Sequence, residues 1–218
     1  MTRRMPEVAL DLLADEPYRA PVVTSDRVFA GRVWDVRRDT VEYGGAQVVR
    51  DYVEHPGAVG VLALDDRGRV LLIKQYRHPI RTRDWEIPAG LLDVDGESPL
   101  EAAKRELVEE ADLEADDWAV LVDLFTSPGG NDEAIRIFLA RGVRPTATAF
   151  ARTDEEADME ARWVDLDECV DAVLARRVQN APLVAAVLAA HVARARDWET
   201  LGAAVAPWPA RPKGDPTA

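Results

Sequence analysis

A dense group of carboxylates lies between residues 97 and 110, in a stretch whose sequence predicts one helix. Glu106, Glu109 and Glu110 would occupy neighbouring parts of a helix surface, because positions three and four apart are adjacent there. Like charges at this spacing destabilise an isolated helix, and a solvated helix more often alternates its charges. Hard cations such as Mg²⁺ prefer oxygen ligands at fixed separation. The pattern indicates either a metal site or a solvated acidic face, and the charges alone do not choose between them.

The helix that carries these carboxylates has a recognisable start. Ser98 is followed by Pro99 at the first helical position, and Glu101 lies three residues after Ser98, which is the spacing of a capping box. We therefore predict a helix over residues 98–111. Its apolar stripe, at helical spacing, comprises Leu100, Ala103, Leu107 and Ala111.

Strands precede and follow this helix in the sequence. Residues 21–54 alternate in polarity, so we predict strands there, with RVFAGRVWDV as one strand and Gly44-Gly45 as a turn. The run GAVGVLALD is apolar at nearly every position, which is typical of a strand buried on both faces. Helices are predicted in LDECVDAVLARRV and from residue 180 to 196. This order predicts an α+β fold, or an α/β sandwich, with a mixed sheet.

Composition suggests four consecutive segments. We expect a mobile lead over residues 1–20, N-terminal strands over 21–54, a main domain over 55–205 and a proline-rich, disordered tail over 206–218.

The bulk composition is that of a globular protein and restricts its partners. Of 218 residues, 47% are hydrophobic and 31% charged. The net charge of −13 disfavours nucleic acid and anionic lipid as partners. The single cysteine, Cys169, excludes an intrachain disulfide and fits a reducing cytoplasm. The N-terminal stretch lacks the apolar run of a signal peptide, and no segment approaches the length of a membrane span. We expect a cytoplasmic protein.

Residues 90–113, GLLDVDGESPLEAAKRELVEEADL, resemble the Nudix box G-x5-E-x7-R-E-U-x-E-E-x-G-U, in which U is aliphatic. Glu97 is followed by seven residues and then by RELVEE. Six residues separate Gly90 from Glu97 instead of five, which implies a one-residue insertion, and Asp112 replaces the last glycine. Aspartate tolerates the left-handed conformation of a helix end better than most residues, so we expect the helix end to survive. The chain is identified as a member of the Nudix hydrolase family, which implies an α/β/α sandwich with a mixed sheet, here with a small N-terminal β-sheet region added.

The resemblance implies a site for one or more Mg²⁺ or Mn²⁺ ions. In this family the box holds cations that bridge a diphosphate and activate water for attack on phosphorus. Glu97 and Arg105 would orient the carboxylates, and Glu109 would support a further ion. The metal ligands implied for this chain are Ala89, through its backbone carbonyl, Glu106, Glu109 and Glu110.

Segments outside the box resemble the bacterial ADP-ribose pyrophosphatases of the same family: VEHPGAVGVLAL, KQYRHPI, WEIPAGLLD and TSPGGNDE. Pro128 lies fifteen positions after Leu113 and resembles the marker of ADP-ribose hydrolases, although Ser-Pro-Gly-Gly is a turn on composition alone. The implied reaction is hydrolysis of ADP-ribose to AMP and ribose 5-phosphate. The alternatives are a Nudix hydrolase for a nucleotide sugar or NADH, and a non-catalytic ligand-sensing Nudix domain, which typically lacks some of the glutamates present here.

The general base is expected in the acidic run of residues 154–158. The resemblance places it at Glu155, or at Glu156 if the alignment shifts by one residue. A solvated acidic loop is the plain alternative.

Substrate contacts are expected outside the acidic run. Arg50 and Arg77 can each hold a phosphate through a forked pair of hydrogen bonds. The full predicted substrate set is Trp34, Arg50, Arg77, Glu86, Gly90 and Pro128. The three histidines, His55, His78 and His191, do not have metal-ligand spacing and receive no role.

The N-terminal strands carry more apolar surface than a small sheet leaves in water. The chain's own core could cover it. The resemblance instead implies a homodimer formed through residues 21–54, in which Trp34 or Arg50 reaches the partner's active site.

Overall fold

The computed structural model describes residues 13–148, 150 and 159–209. The chain forms two compact units, Met1–Tyr52 and Val53–Ala218. Each unit has its own sheet structure.

The first unit is built on a three-stranded sheet of order β1-β2-β3. Its strands are β1 (Val22–Ala30), β2 (Asp35–Tyr43) and β3 (Ala46–Glu54), and the last two residues of β3 belong to the second unit. The glycine pair between β2 and β3 has positive φ angles of 62° and 81°, as a tight turn requires.

The prediction that RVFAGRVWDV forms one strand is wrong, because the chain turns at residues 31–34 between β1 and β2. A Cβ on Gly31 would lie 2.0 Å from the carbonyl oxygen of Trp34, so only glycine fits there. The Asp35 side chain accepts the Gly31 N–H at 3.2 Å and closes the turn.

The described residues of the second unit form two sheets and three α-helices. One sheet has the order β11-β8-β9-β4-β7 and the other β10-β5-β6. β4 pairs parallel with β9 and antiparallel with β7, so the larger sheet is mixed, as predicted. The elements are β4 (Ala58–Ala63), β5 (Arg69–Arg77), a 3-10 turn (His78–Ile80), β6 (Thr82–Glu86), β7 (Ala89–Leu91), α1 (Pro99–Ala111), β8 (Leu113–Phe125), β9 (Ala134–Pro145), β10 (Glu160–Asp165), α2 (Leu166–Leu174), α3 (Ala181–Arg194) and β11 (Gly202–Ala203).

Two apolar cores lie on opposite faces of β4, which is buried at every position, as its sequence predicted. Val59 and Val61 pack with Leu107 of α1, whereas Leu62 packs with Leu183 of α3. Burying one such side chain contributes roughly 1.5–3 kcal/mol. Helices therefore cover both faces of the sheet, and the expected α/β/α sandwich is confirmed.

Helix α1 has the predicted caps. The Ser98 hydroxyl oxygen accepts the Glu101 N–H, and that hydroxyl donates to the Glu101 carboxylate. At the other end Asp112 is left-handed, with φ 54°, and its N–H donates to the carbonyl of Val108. The helix end survives without glycine, as expected.

A C-terminal segment, residues 206–208, contacts the sheet through Arg136 of β9. Arg136 is buried and donates to the carbonyl oxygens of Ala206 at 2.6 Å and Pro207 at 3.2 Å. Its guanidinium carbon lies 4.9 Å from the ring centroid of Trp208. The first residues of the tail expected to be disordered are thus held in place, whereas residues 210–218 lie outside the described residues.

Among the helices of the described ranges, none is both long and apolar enough to cross a membrane.

Candidate active site

Two glutamates of α1 are buried against the backbone of β7. Glu106 is 9% exposed and Glu110 7% exposed. A Cβ on Gly90 would lie 2.0 Å from the carboxylate of Glu106, so the missing side chain is what admits this group. The neighbouring Ala89 N–H donates to Oε2 of Glu110 at 2.9 Å. Gly90 begins the predicted box, and the fold returns it to the carboxylates at the other end of the box.

Arg105 lies among the carboxylates of the box. Its Nε and Nη2 donate to the two oxygens of Glu97, each at 2.9 Å. Its Nη1 donates to Oε1 of Glu106 at 2.5 Å and to Oε2 of Glu109 at 3.2 Å. The hydrogen bond from Arg105 holds the pKa of Glu97 below its usual range, and the Glu97 carboxylate in turn raises the pKa of Arg105. This arrangement offsets part of the negative charge and fixes the orientation of Glu106.

A second charged pair joins β5 to β6. Arg77 donates to both oxygens of Glu86 at 2.6 Å, and Glu86 is almost fully buried. The pKa of Arg77 is raised, mainly by its hydrogen bonds to Glu86, with smaller contributions from the charges of Glu110 and Asp84. Because Glu110 acts on Arg77, the pair lies within electrostatic reach of the α1 carboxylates. The structure thus pairs two predicted substrate residues with each other, and one of them, Arg77, interacts electrostatically with the predicted metal ligand Glu110.

The donor set suits a hard cation in its chemistry. The relevant atoms are the buried carboxylate oxygens of Glu106 and Glu110 and the adjacent, partly buried backbone at Ala89, next to Gly90. Across residues 13–148, 150 and 159–209, no three His, Cys, Asp or Glu side chains form a ready metal-binding cluster. Instead, Glu106 and Glu109 face Arg105, and Glu110 faces the Ala89 N–H.

Pro128 lies in an exposed turn between β8 and β9. The N–H groups of Gly130 and Asn131 both donate to the carbonyl of Ser127 at 3.0 Å. The turn expected from composition is therefore present, and the same segment leads into β9 at Ala134.

The remaining predicted residues lie elsewhere. Trp34 and Arg50 belong to the first unit, where Trp34 is 37% exposed and Nη1 of Arg50 donates to the carbonyl of Val49. Glu155 and Glu156 lie outside the described residues.

His55 received no role from the sequence, yet the structure buries it just before β4. Its contacts with Gly57 and with Glu133, in the loop before β9, depend on the fold and could not be inferred from the sequence. The only sequence signal is its place directly ahead of a wholly apolar strand.

An α/β/α sandwich in which a loop, a capped helix and a second loop gather buried glutamates defines a Nudix-type hydrolase domain. The chain belongs to the Nudix family, since the family model described as NUDIX domain matches residues 54–187.

Among the relatives that match most of the chain are two bacterial proteins. An ADP-ribose pyrophosphatase of Mycobacterium tuberculosis (strain ATCC 25618 / H37Rv) is 45% identical over 170 residues, which cover 78% of this chain and 82% of that protein. A methanol dehydrogenase activator of Bacillus methanolicus is 34% identical over 171 residues, covering 78% of this chain and 91% of that protein.

A solved structure titled as an ADP compounds hydrolase is similar in fold. It superimposes with a TM-score of 0.69 at 21% sequence identity and covers 84% of this chain and 98% of the other. At this identity the likeness supports the fold alone.

Proposed function

We propose that this chain hydrolyses the diphosphate of ADP-ribose with the help of Mg²⁺ or Mn²⁺. A water oxygen would bond to one phosphorus, the P–O bond of the anhydride would break, and AMP and ribose 5-phosphate would leave. The observation that carries the proposal is the burial of Glu106 and Glu110 against Ala89 and Gly90, inside the matched family domain. The name of the 45% identical relative supports the choice of substrate.

Glu106, Glu110 and the carbonyl of Ala89 would hold the cation, and Glu109 would support a further ion. When bound, the cation neutralises diphosphate charge and makes water a better nucleophile. Arg105 keeps the carboxylates oriented, and it must release Glu106 and Glu109 in part when they become ligands. Glu97 holds the other edge of the Arg105 guanidinium throughout.

Arg77 would contact the diphosphate. Glu86 engages its Nε and Nη2, so the Nη1 edge is the one that would donate to a phosphate oxygen. Glu86 fixes the plane of the guanidinium, which reduces the entropy lost when phosphate binds. Pro128 and Gly90 would shape the site around the substrate.

For the general base we propose Glu155, with Glu156 as the alternative. Replacing the base by glutamine should lower kcat by roughly 10²–10⁴-fold with little change in substrate binding. Loss in Glu156→Gln but not in Glu155→Gln would move the base by one residue. If both variants keep full activity, water is activated by the metal alone or by another group.

We further propose a cytoplasmic homodimer formed through the first unit, in which Trp34 or Arg50 reaches the partner's site. Several apolar side chains of this unit are exposed, among them Val33 at 67% and Phe29 at 61%. Such surface favours an interface. The free, buried thiol of Cys169 is consistent with a reducing compartment.

A substrate panel tests the activity. The purified chain is given ADP-ribose, NADH or GDP-mannose with Mg²⁺, with Mn²⁺ or with EDTA, and AMP and sugar phosphate are quantified. We expect the highest kcat/KM with ADP-ribose and no turnover with EDTA. A higher kcat/KM for NADH or GDP-mannose would instead favour another Nudix specificity, and no turnover of any substrate would favour a ligand-sensing domain.

Glutamine variants test the ligands. Glu106→Gln and Glu110→Gln keep the shape of the side chain but remove a charge, so each should lower kcat by at least about 10²-fold. Glu199→Gln, at an exposed position of the second unit, is the matched control. Wild-type kcat in either ligand variant at saturating Mg²⁺ would remove that residue from the ligand set.

A further inference from the structure

The loop between β8 and β9, residues 126–133, is hydrogen-bonded to the segment just before β4. The Val53 N–H donates to the carbonyl of Gly130 at 2.9 Å, and the Asp132 N–H donates back to the carbonyl of Val53 at 3.3 Å. The His55 N–H donates to Oδ1 of Asp132 at 2.7 Å. These hydrogen bonds, two between backbone groups and one to the Asp132 side chain, fix one side of the loop that contains Pro128.

The imidazole of His55 interacts with Glu133, at the end of this loop. Its Nδ1 accepts the Gly57 N–H at 3.0 Å, so this nitrogen carries a lone pair and the ring proton lies on Nε2. Nε2 faces Oε1 of Glu133 at 3.4 Å, and the ring is only 7% exposed. The other carboxylate oxygen of Glu133 accepts the hydroxyl of Thr126, at the start of the same loop. Glu133 thus closes the base of the loop, and His55 orients Glu133.

The same short segment also touches the strand that carries the candidate active site. The carbonyl of Gly57 accepts the Leu92 N–H at 3.0 Å, and Ala58 pairs with Leu91 at the end of β7. Ala89 and Gly90 lie in this strand. His55 and Gly57 therefore connect the Pro128 loop to the start of the Nudix box through a continuous path of hydrogen bonds.

We propose that His55, as the neutral Nε2–H tautomer, is a positioning residue that holds the loop of residues 126–133 in its substrate-binding conformation. The inference rests on the proposed function, because Pro128 belongs to the proposed substrate site. His55 acts through Glu133 and the loop and does not touch the reacting atoms. Loss of the Nε2–H donor should therefore weaken substrate binding more than it slows the chemical step.

Two substitutions separate the two nitrogens. His55→Gln places an amide donor near the position of Nε2. His55→Asn can place its amide oxygen near the position of Nδ1, but the shorter side chain has no donor that reaches the position of Nε2. With ADP-ribose we expect His55→Asn to raise KM by about tenfold or more at a kcat within about threefold of wild type. His55→Gln should recover most of the KM. Because both act through one contact, adding Glu133→Gln to His55→Asn should raise KM little further.

Hydrogen exchange of the ligand-free chain gives a readout that does not depend on the substrate. Amides of residues 126–133 should exchange at least about tenfold faster in His55→Asn than in wild type, while β9 stays protected. His191→Asn, at a partly exposed histidine on α3, is the control.

The two readouts distinguish failure of His55 from failure of the proposed function. Unchanged exchange in the loop, or equal KM in His55→Asn and wild type, would overturn the positioning role. If the Asn and Gln variants only melt at a lower temperature, and by the same amount, the positioning role would also be overturned. His55 would then be a residue that contributes to packing alone. If the wild type does not hydrolyse ADP-ribose, the proposed function fails. The hydrogen exchange of residues 126–133 then tests, without any substrate, whether His55 holds the loop in place.

Discussion

At Gly90 the absence of a side chain lets Glu106 reach the backbone of β7. A Cβ would lie 2.0 Å from the Glu106 carboxylate, and the strand cannot shift freely because Gly90 pairs with Val59 in the core of the sheet. Gly90→Ala should therefore displace Glu106, lower kcat by at least about 10²-fold and destabilise the fold by about 1–3 kcal/mol. Steady-state kinetics and thermal melting check this. Wild-type kcat in Gly90→Ala would show that the position of Glu106 against β7 is not needed.

Glu97 gives the box a predictable response to acid. Its folded pKa is below the ordinary 4.5 because Arg105 hydrogen-bonds to the carboxylate. The stability it contributes is therefore present above pH 4.5 and is lost as the pH falls through the lower folded pKa. We expect Glu97→Gln to melt below wild type at pH 7, and the two melting temperatures to converge toward pH 3. An equal difference at both pH values would contradict the charge-based coupling.

Candidate residues could be identified from the sequence more readily than the contacts between them. Arg77 and Glu86 were selected separately, because they lie nine residues apart in the sequence. The β5–β6 register pairs Arg77 with Thr82 and Glu86 with Ile73, so their contact is made by the side chains and not by direct strand pairing. Arg105 and Glu97 are eight residues apart with a helix start between them. His55 was missed because its contacts with Gly57 and Glu133 form only in the folded chain.

Elements with strong local signals were predicted correctly. The capping box predicted the start of α1, and Asp112 could be expected to end it, because both features depend on neighbours in sequence. The N-terminal strands were harder, since alternation of polarity continues through residues 31–34 and hides the turn. The contact between Gly31 and Trp34 that forces the turn involves backbone atoms, which leave little trace in sequence.

The C-terminal segment, residues 206–208, completes the face of the sheet that carries α1. Arg136 pairs in register with Val59, which pairs with Gly90, so Arg136 lies in the same row as the glycine of the candidate active site. Arg136 also bonds both oxygens of Asp123 at 2.8 Å. Trp208 packs against the core cluster beneath α1. The segment therefore covers a buried charge that would otherwise lack backbone acceptors.

Removal of this segment should destabilise the second unit. Trp208→Ala should cost about 1–2 kcal/mol through the lost cation–π contact. Truncation after Val205 should cost more, because hydrogen bonds to the charged Arg136 contribute about 1.5–3 kcal/mol. Thermal melting and denaturant titration measure both. Truncation after Pro209 keeps every described contact and serves as the control, and equal stability of the two truncated chains would rule out a role for the segment.

At the scale of the whole molecule, the family domain begins at residue 54 and leaves the first unit outside it. From residue 13 on, where the structure describes it, this unit forms three strands. All of β1 is exposed, and the exposed apolar side chains include Phe29 and Val33. Sequence patterns predicted this apolar surface. The homodimer expected to cover it stays a prediction, because contacts between two copies would not lie within one chain.

The predicted homodimer can be tested by its molecular mass and by its effect on catalysis. Light scattering should give about twice the monomer mass of 24.1 kDa across micromolar dilution. Phe29→Asp and Val33→Asp should shift the protein to monomer, because a buried unpaired carboxylate is costly. Val205→Asp, at an exposed apolar residue of the second unit, is the matched control. A wild-type monomer that hydrolyses ADP-ribose at full rate would overturn the dimer.

Sharing of the site is tested by complementation. If Trp34 serves the partner's site, Trp34→Ala and Glu106→Gln should each be impaired alone. In a mixed dimer, one site would combine the intact Glu106 of the first variant with the intact Trp34 of the second. Co-expression should then restore roughly a quarter of wild-type activity, as random pairing of the two chains predicts for independent sites. Arg50→Ala can replace Trp34→Ala in the same experiment. If neither pairing restores activity although mixed dimers are isolated, Trp34 and Arg50 do not act on the partner's site.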